Sequence, residues 1–140
     1  MAKFIGIDYG MRRVGIAISD DSGKIALPLK TIEGNDFIFL NSIKEIIAEK
    51  GIEKIVLGLP LNLSGEESPM SQKVRKFAEK LNYNEMTIIF WDERLTTTEA
   101  HRALHEMNKK PSHHRKDIDL ISATLILQSY LDSINPIEDA

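Results

Sequence analysis

At 140 residues the chain has the length of one ordinary domain, enough to bury roughly two-thirds of its unfolded surface around a core, and a single domain over residues 1–140 is expected. Its 42% hydrophobic and 28% charged content is that of a soluble globular protein, and no apolar run approaches the roughly 18 residues of a membrane span. Cysteine is absent, which excludes disulfides, thiolate nucleophiles and thiolate zinc centres, and a net charge of -3 offers nucleic acid no global attraction, so any basic footprint must be local. The start, MAKFIGID, enters a strand pattern with no basic-apolar-small signal layout, from which a cytoplasmic address is expected.

In chain order, residues 3–8 read as a short buried strand ending on Asp8. A carboxylate there is costly to desolvate unless a cation meets it, and Arg12, Arg13, a metal ion or a phosphate-bound cation could each serve. Residues 13–20 alternate Val14, Ile16 and Ile18 with Gly15, Ala17 and Ser19. DDSGK is a hairpin turn with Gly23 placed for positive φ, and residues 24–32 return as a third strand whose Pro28 marks a sheet edge.

The period then changes. NDFIFLNSIKEIIAEKG carries Asn35 or Asp36 as N-cap, Phe39, Ile43, Ile46 and Ile47 at helical spacing, and Gly51 as the stop. EKIVLGLP is a fully apolar strand. In SPMSQKVRKFAEKLN, Ser68 caps a helix with Pro69 at its first position and Val74, Phe77, Ala78 and Leu81 on one face. MTIIFWDE is another buried strand ending in acids, with Trp91 in the core. Thr96 and Glu99 fit a capping box that opens a helix to about Met107, NKKPSHHR is a polar hinge, and residues 116–134 form a last helix stopped by Pro136.

The order β-β-β-α-β-α-β-α-α predicts an α/β fold: three antiparallel strands, then two parallel strands laid beside the first by right-handed helical crossovers. Asp8, the Gly58-Leu59-Pro60 turn and Asp92-Glu93 then gather at the carboxyl ends of neighbouring strands, where open α/β sheets bind ligands. Either Asp92 or Glu93 could supply the second carboxylate. A third comes from the last helix, where Asp119 shares a face with Ser122, Ala123 and Ile126, whereas Asp117 suits the helix dipole.

DYGMRRVGIA, VLGLPLNLSG, DERLTT and DLISATLILQSYLD together resemble the four motif blocks of the YqgF/RuvX family, Holliday-junction-resolvase-like or pre-16S rRNA nucleases of the ribonuclease H fold. The resemblance runs from Lys3 to Asp132. It implies a mixed five-stranded sheet with helices on both faces and a metal-dependent phosphodiesterase in which Asp8, Glu93 and Asp119 hold Mg²⁺ or Mn²⁺. Convergent carboxylates suit such chemistry, since two ions about 4 Å apart can activate a water and stabilise the leaving oxygen of a phosphate. Relatives on this fold often place an acid on the fourth strand. Here that strand ends in Gly-Leu-Pro and Glu93 must substitute.

Around these acids, Arg12 and Arg13 could reach phosphates, Gly10 allows the tight turn, and Asn62 could bond a phosphate or sugar. Arg94 could clamp a phosphate or fix a carboxylate, and Thr97, like Thr96, stands where a helix begins and can offer N–H groups to an anion. From His101 to Lys116 the chain holds five Lys or Arg and four His against one acid, Glu106. Lys109, Lys110, Arg115 and Lys116 of this stretch could order on a nucleic-acid backbone.

The expected partner is a pre-rRNA or a branched DNA, with no membrane. Maturation of the 5′ end of small-subunit rRNA is the favoured role, with junction resolution in recombination or a non-catalytic binding module as alternatives. A resolvase that cuts two symmetric strands would need a homodimer, while RNA end processing would not. An actin-like phosphotransferase would need a duplicated domain. A zinc hydrolase using His101, His105 and His113 or His114 lacks the glutamate of His-Glu-x-x-His.

Overall fold

The structure is a computed structural model that describes residues 2–82, 86–96, 102, 106 and 115–136. β1 (Phe4–Tyr9), β2 (Arg13–Ser19) and β3 (Ala26–Glu33) form an antiparallel meander, with Gly23 at φ 72 in the turn between β2 and β3. α1 (Asp36–Lys50), β4 (Lys54–Leu59), α2 (Pro69–Leu81) and β5 (Thr87–Asp92) follow. A single 3₁₀ turn, Glu93–Leu95, extends β5, and α3 (Arg115–Ile134) is the final described helix. The sheet order is β3-β2-β1-β4-β5, with β1, β4 and β5 mutually parallel where they pair.

The helix ends follow the local chemistry. Asn35 accepts the Ile38 N–H at the start of α1, and Gly51 ends it at φ 64, a conformation that favours glycine. Ser68 and Ser71 form a reciprocal capping box at the start of α2, with Pro69 in its first turn. Pro28 does lie on an edge strand, where β2 and β3 shift register between Ile16 and Ala17.

Strand alternation sends two apolar sets to opposite faces. Ile5, Ile7, Val14, Ile16, Ile55 and Leu57 pack under α1 and α2 with Phe39, Ile43, Val74 and Phe77. Phe4, Ala17 and Val56 pack under α3 with Ala123, Ile126, Leu127 and Leu131. Asp8 has the parity of Phe4 and therefore belongs to the α3 side, while its neighbour Tyr9 joins the other core and donates its hydroxyl to Asp36 at 2.6 Å.

α3 lies directly on the sheet because glycines leave room for it. A Cβ on Gly6 would stand 2.6 Å from the Leu127 Cβ, and one on Gly15 would stand 2.1 Å from the Asp119 carbonyl oxygen. Gly15 is the register partner of Asp8, so the contact that seats α3 also brings Asp119 beside the end of β1.

Two expectations need comment. The sequence pattern of β5 is that of a buried strand, but β5 is the outer strand of the sheet and is only partly covered; Phe90 is 36% exposed, with the Arg75 guanidinium 4.9 Å from its ring centroid. The helix expected from Thr96 to Met107 and the hinge after it lie almost wholly outside the described residues.

Substituting Gly15→Ala should force α3 away from β2 and lower unfolding free energy by about 3 kcal/mol, the upper range for overpacking, because the obstructing atom is backbone. Urea unfolding measures this. A midpoint equal to wild type would refute the close contact.

Candidate active site

The site forms where β1, β4 and β5 end side by side. Asp8 is the fifth residue of β1 and half-buried. Glu93 follows β5 by one residue, and the 3₁₀ turn folds it back over β4: its Cγ and Cδ lie 3.4 Å from where a Cβ on Gly58 would stand. A Cβ on Gly58 would also stand 2.6 Å from Ile126 Cδ1, so α3 takes the place of a β4 side chain there and Glu93 lies alongside at ordinary contact distance.

Asp8 and Glu93 are electrostatically linked. Burial, then the charge of Glu93, then that of Asp119 raise the Asp8 carboxyl well above the ordinary carboxylate range. Burial, then the charge of Asp92, push Glu93 up to about 7. Among the described residues no cation pairs with either side chain. Two acids held together in this way share a cost that a bound cation would remove.

The neighbouring acids are neutralised. Arg13 donates Nε–H to Asp119 Oδ2 at 2.8 Å, and both side chains are about three-quarters covered, at 25% and 24% exposure. Arg94 donates Nε–H and Nη2–H to Asp92 Oδ2 at 3.0 and 2.7 Å, and its backbone N–H to Oδ1 at 2.9 Å. The Arg94 guanidinium holds the Asp92 carboxyl below its usual value. Of the consecutive pair, Asp92 therefore caps and braces the turn, while Glu93 faces Asp8.

Other predicted residues take the following places. Arg12 is exposed in the β1–β2 turn. Asn62 is exposed and donates Nδ2–H to the Glu67 carbonyl at 3.4 Å. Arg115 is exposed at the start of α3, and Lys116 pairs with Glu33 at 3.4 Å on the sheet edge. Thr97, Lys109, Lys110, His101, His105, His113 and His114 lie outside the described residues. Trp91 packs against the α3 core and donates Nε1–H to Ser129 at 3.0 Å. The roles of Gly15 and Gly58 escaped the sequence reading. Their signal was the missing side chain at a strand position otherwise bracketed by apolar residues.

Chemically, the carboxylates suit a hard divalent cation in donor type, and the Asp8–Glu93 pair has the negative charge to attract one. Among the described residues no group of three acids or histidines is already gathered as a metal site, and Asp119 is engaged by Arg13.

A mixed sheet flanked by helices on both faces, with acids at its carboxyl edge, is the architecture of the ribonuclease H-like class. In agreement, the fold matches that of Thermus thermophilus RuvC, solved in complex with a Holliday junction substrate, at a TM-score of 0.60 and 9% identity, over 97% of each chain. The chain belongs to the RuvX family, described as Holliday junction resolvase, which it matches over residues 2–133. A relative in Caldanaerobacter subterraneus subsp. tengcongensis is 43% identical over 134 residues, covering 94% of this chain and 96% of its own. One in Thermoanaerobacter pseudethanolicus is 45% identical over 137 residues, with the same coverages. Both carry the name "Putative pre-16S rRNA nuclease".

Because Glu93 titrates near 7 in the fold against 4.5 ordinarily, the folded state holds its proton more tightly than the unfolded chain. Stability from this source is full below about pH 4.5 and is lost as pH rises through about 7. Glu93→Gln should therefore melt higher than wild type at pH 8 in chelator, its unfolding free energy being larger by on the order of 1–3 kcal/mol, and should show little difference at pH 4.5. Equal melting at pH 8 would show that the pair is not strained.

Proposed function

We propose that this chain is a divalent-metal-dependent endonuclease that matures the 5′ end of pre-16S rRNA in the cytoplasm, its activity carried by a single domain over residues 1–140. The observation that carries this reading is the Asp8–Glu93 pair, two raised carboxyls with no cation beside them among the described residues. It supports catalysis over a binding module, because a fold that merely bound nucleic acid would gain nothing from a negative pair at its ligand edge. The names of the family's close relatives supply the substrate.

In this reading Asp8, Glu93 and Asp119 would hold Mg²⁺ or Mn²⁺, which in a two-ion mechanism would supply water activation and stabilisation of charge on the leaving oxygen. The chain's own groups position the rest. Arg13 orients Asp119, and the Asp92–Arg94 brace sets the turn from which Glu93 projects. Arg12, exposed at the same edge, meets a phosphate of the substrate. Asn62, Thr97, Lys109, Lys110, Arg115 and Lys116 contact the flanking strand, while Arg94 serves it indirectly through the loop it holds. One protomer is enough for cutting an RNA end, whereas paired cuts in a junction would call for a homodimer.

The test is cleavage of a 5′-extended pre-16S rRNA and of a mobile four-way DNA junction with Mg²⁺ or Mn²⁺. Wild type should cut the RNA. Asp8→Asn should fall by on the order of 1,000-fold, the equivalent of several kcal/mol of charge stabilisation. Symmetric cutting of the junction alone would move the function to recombination, and binding without cleavage of either would leave a binding module.

Metal should also reverse the strain in the pair. Mg²⁺ at millimolar concentration should raise the melting temperature of wild type at pH 8 and leave that of Asp8→Asn nearly unchanged. An equal rise in both would place the ion elsewhere.

A further inference from the structure

The connection between β4 and α2, residues 60–68, leaves the sheet at the acid pair and is tied down along its length. The Asn62 N–H donates to the Glu66 carbonyl at 2.9 Å, and the Gly65 N–H to the Asn62 carbonyl at 2.8 Å. The Ser68 hydroxyl donates to the Pro60 carbonyl at 2.6 Å, and Arg75 pairs with Glu67 at 2.6 and 3.1 Å. At the tip, Arg94 Nη1 donates to the Leu63 carbonyl at 3.1 Å. Gly65, at φ 89, lets the guanidinium lie close, since a Cβ there would stand 3.2 Å from Nη2. This held loop carries Leu63, a residue 95% exposed.

A lone exposed leucine is ordinary on a protein surface. What sets Leu63 apart is its support. Arg94 follows Glu93 directly, so one residue fixes the carbonyl of Leu63 while its neighbour supplies a carboxylate of the site. Leu63 is therefore held in a fixed relation to Glu93, where a free loop would let it wander. An apolar side chain cannot bind a phosphate, and the charged groups around it already suit the backbone. The part of a nucleotide left for it is the face of a base, which apolar side chains contact by wedging against unstacked steps.

We propose that Leu63 packs against the base of an unpaired nucleotide next to the bond that is cut, and so selects unstacked over duplex nucleic acid. The inference rests on the nuclease reading above and deepens it by naming the substrate class. Paired bases are stacked on both faces and offer Leu63 no surface without distortion.

The experiment uses the whole chain with Ca²⁺ in place of Mg²⁺ and a single-stranded pre-16S 5′-leader RNA carrying 2-aminopurine at successive positions. Wild type should raise the emission of one position on binding, as that base leaves its stack. Leu63→Ser should abolish the rise and weaken binding about 5- to 10-fold, with unchanged melting temperature and metal affinity, while Leu63→Phe should restore both signals. On a fully paired duplex of the same sequence, the serine variant should bind as wild type does. Wild-type emission and affinity in Leu63→Ser, or an equal loss on the duplex, would overturn the role of Leu63 and leave the nuclease reading intact. Failure of wild type to bind any RNA would instead remove the nuclease reading, and this inference with it.

Discussion

The architecture turns on one backbone contact, the carbonyl of Asp119 in α3 resting over Gly15 of β2. Any larger residue at position 15 would meet main chain, which cannot swing aside as a side chain can. Gly15 stands opposite Asp8 in the β1–β2 register, so the contact fixes helix position and site geometry in the same place. Gly6 repeats the arrangement further along the sheet, where Leu127 sits over it. The α3 core, with Ala123, Ile126, Leu127 and Leu131, then holds the helix at this short distance by burial of apolar surface.

Electrostatics divides the four acids into two kinds. Asp92 and Asp119 each have an arginine within hydrogen-bonding distance, a contact that offsets the water a half-covered carboxylate loses. Asp8 and Glu93 meet further negative charge instead, and burial compounds it. Asp92 and Glu93 are consecutive, yet they fall on opposite sides of this division. The 3₁₀ turn after β5 sends the first to Arg94 and the second over Gly58. Perturbed carboxyls of this kind gather at functional sites more often than elsewhere in a fold.

Arginine placement follows from the same geometry. From sequence, Arg13 reads as a group that could reach phosphate, and Arg94 as one that could clamp a phosphate or fix a carboxylate. In the fold each is engaged by a carboxylate and works inside the protein, Arg13 on Asp119 and Arg94 on Asp92 and the Leu63 carbonyl. A guanidinium is well suited to this use, since its fixed fork of donors orients more than one acceptor at once. Arg12, on the exposed turn between β1 and β2, is left open to solvent.

Much was legible in the sequence because it is written in short-range terms. Alternation set the strands, helical spacing set the apolar faces of α1 and α2, and Asn35, Gly51, Ser68 and Pro69 carry their caps and stops in their own side chains. The order of elements was enough to bring Asp8 and Glu93 to one edge, because crossover handedness leaves few alternatives. What tertiary structure alone decided is pairing. Whether Asp92 or Glu93 faces Asp8, which acid Arg13 meets, and how far β5 is covered depend on neighbours distant in sequence. No local pattern encodes the distance between the Asp119 carbonyl and an absent side chain at Gly15. A glycine in a strand looks like a gap in the sequence, and only a packed helix shows what the gap is for.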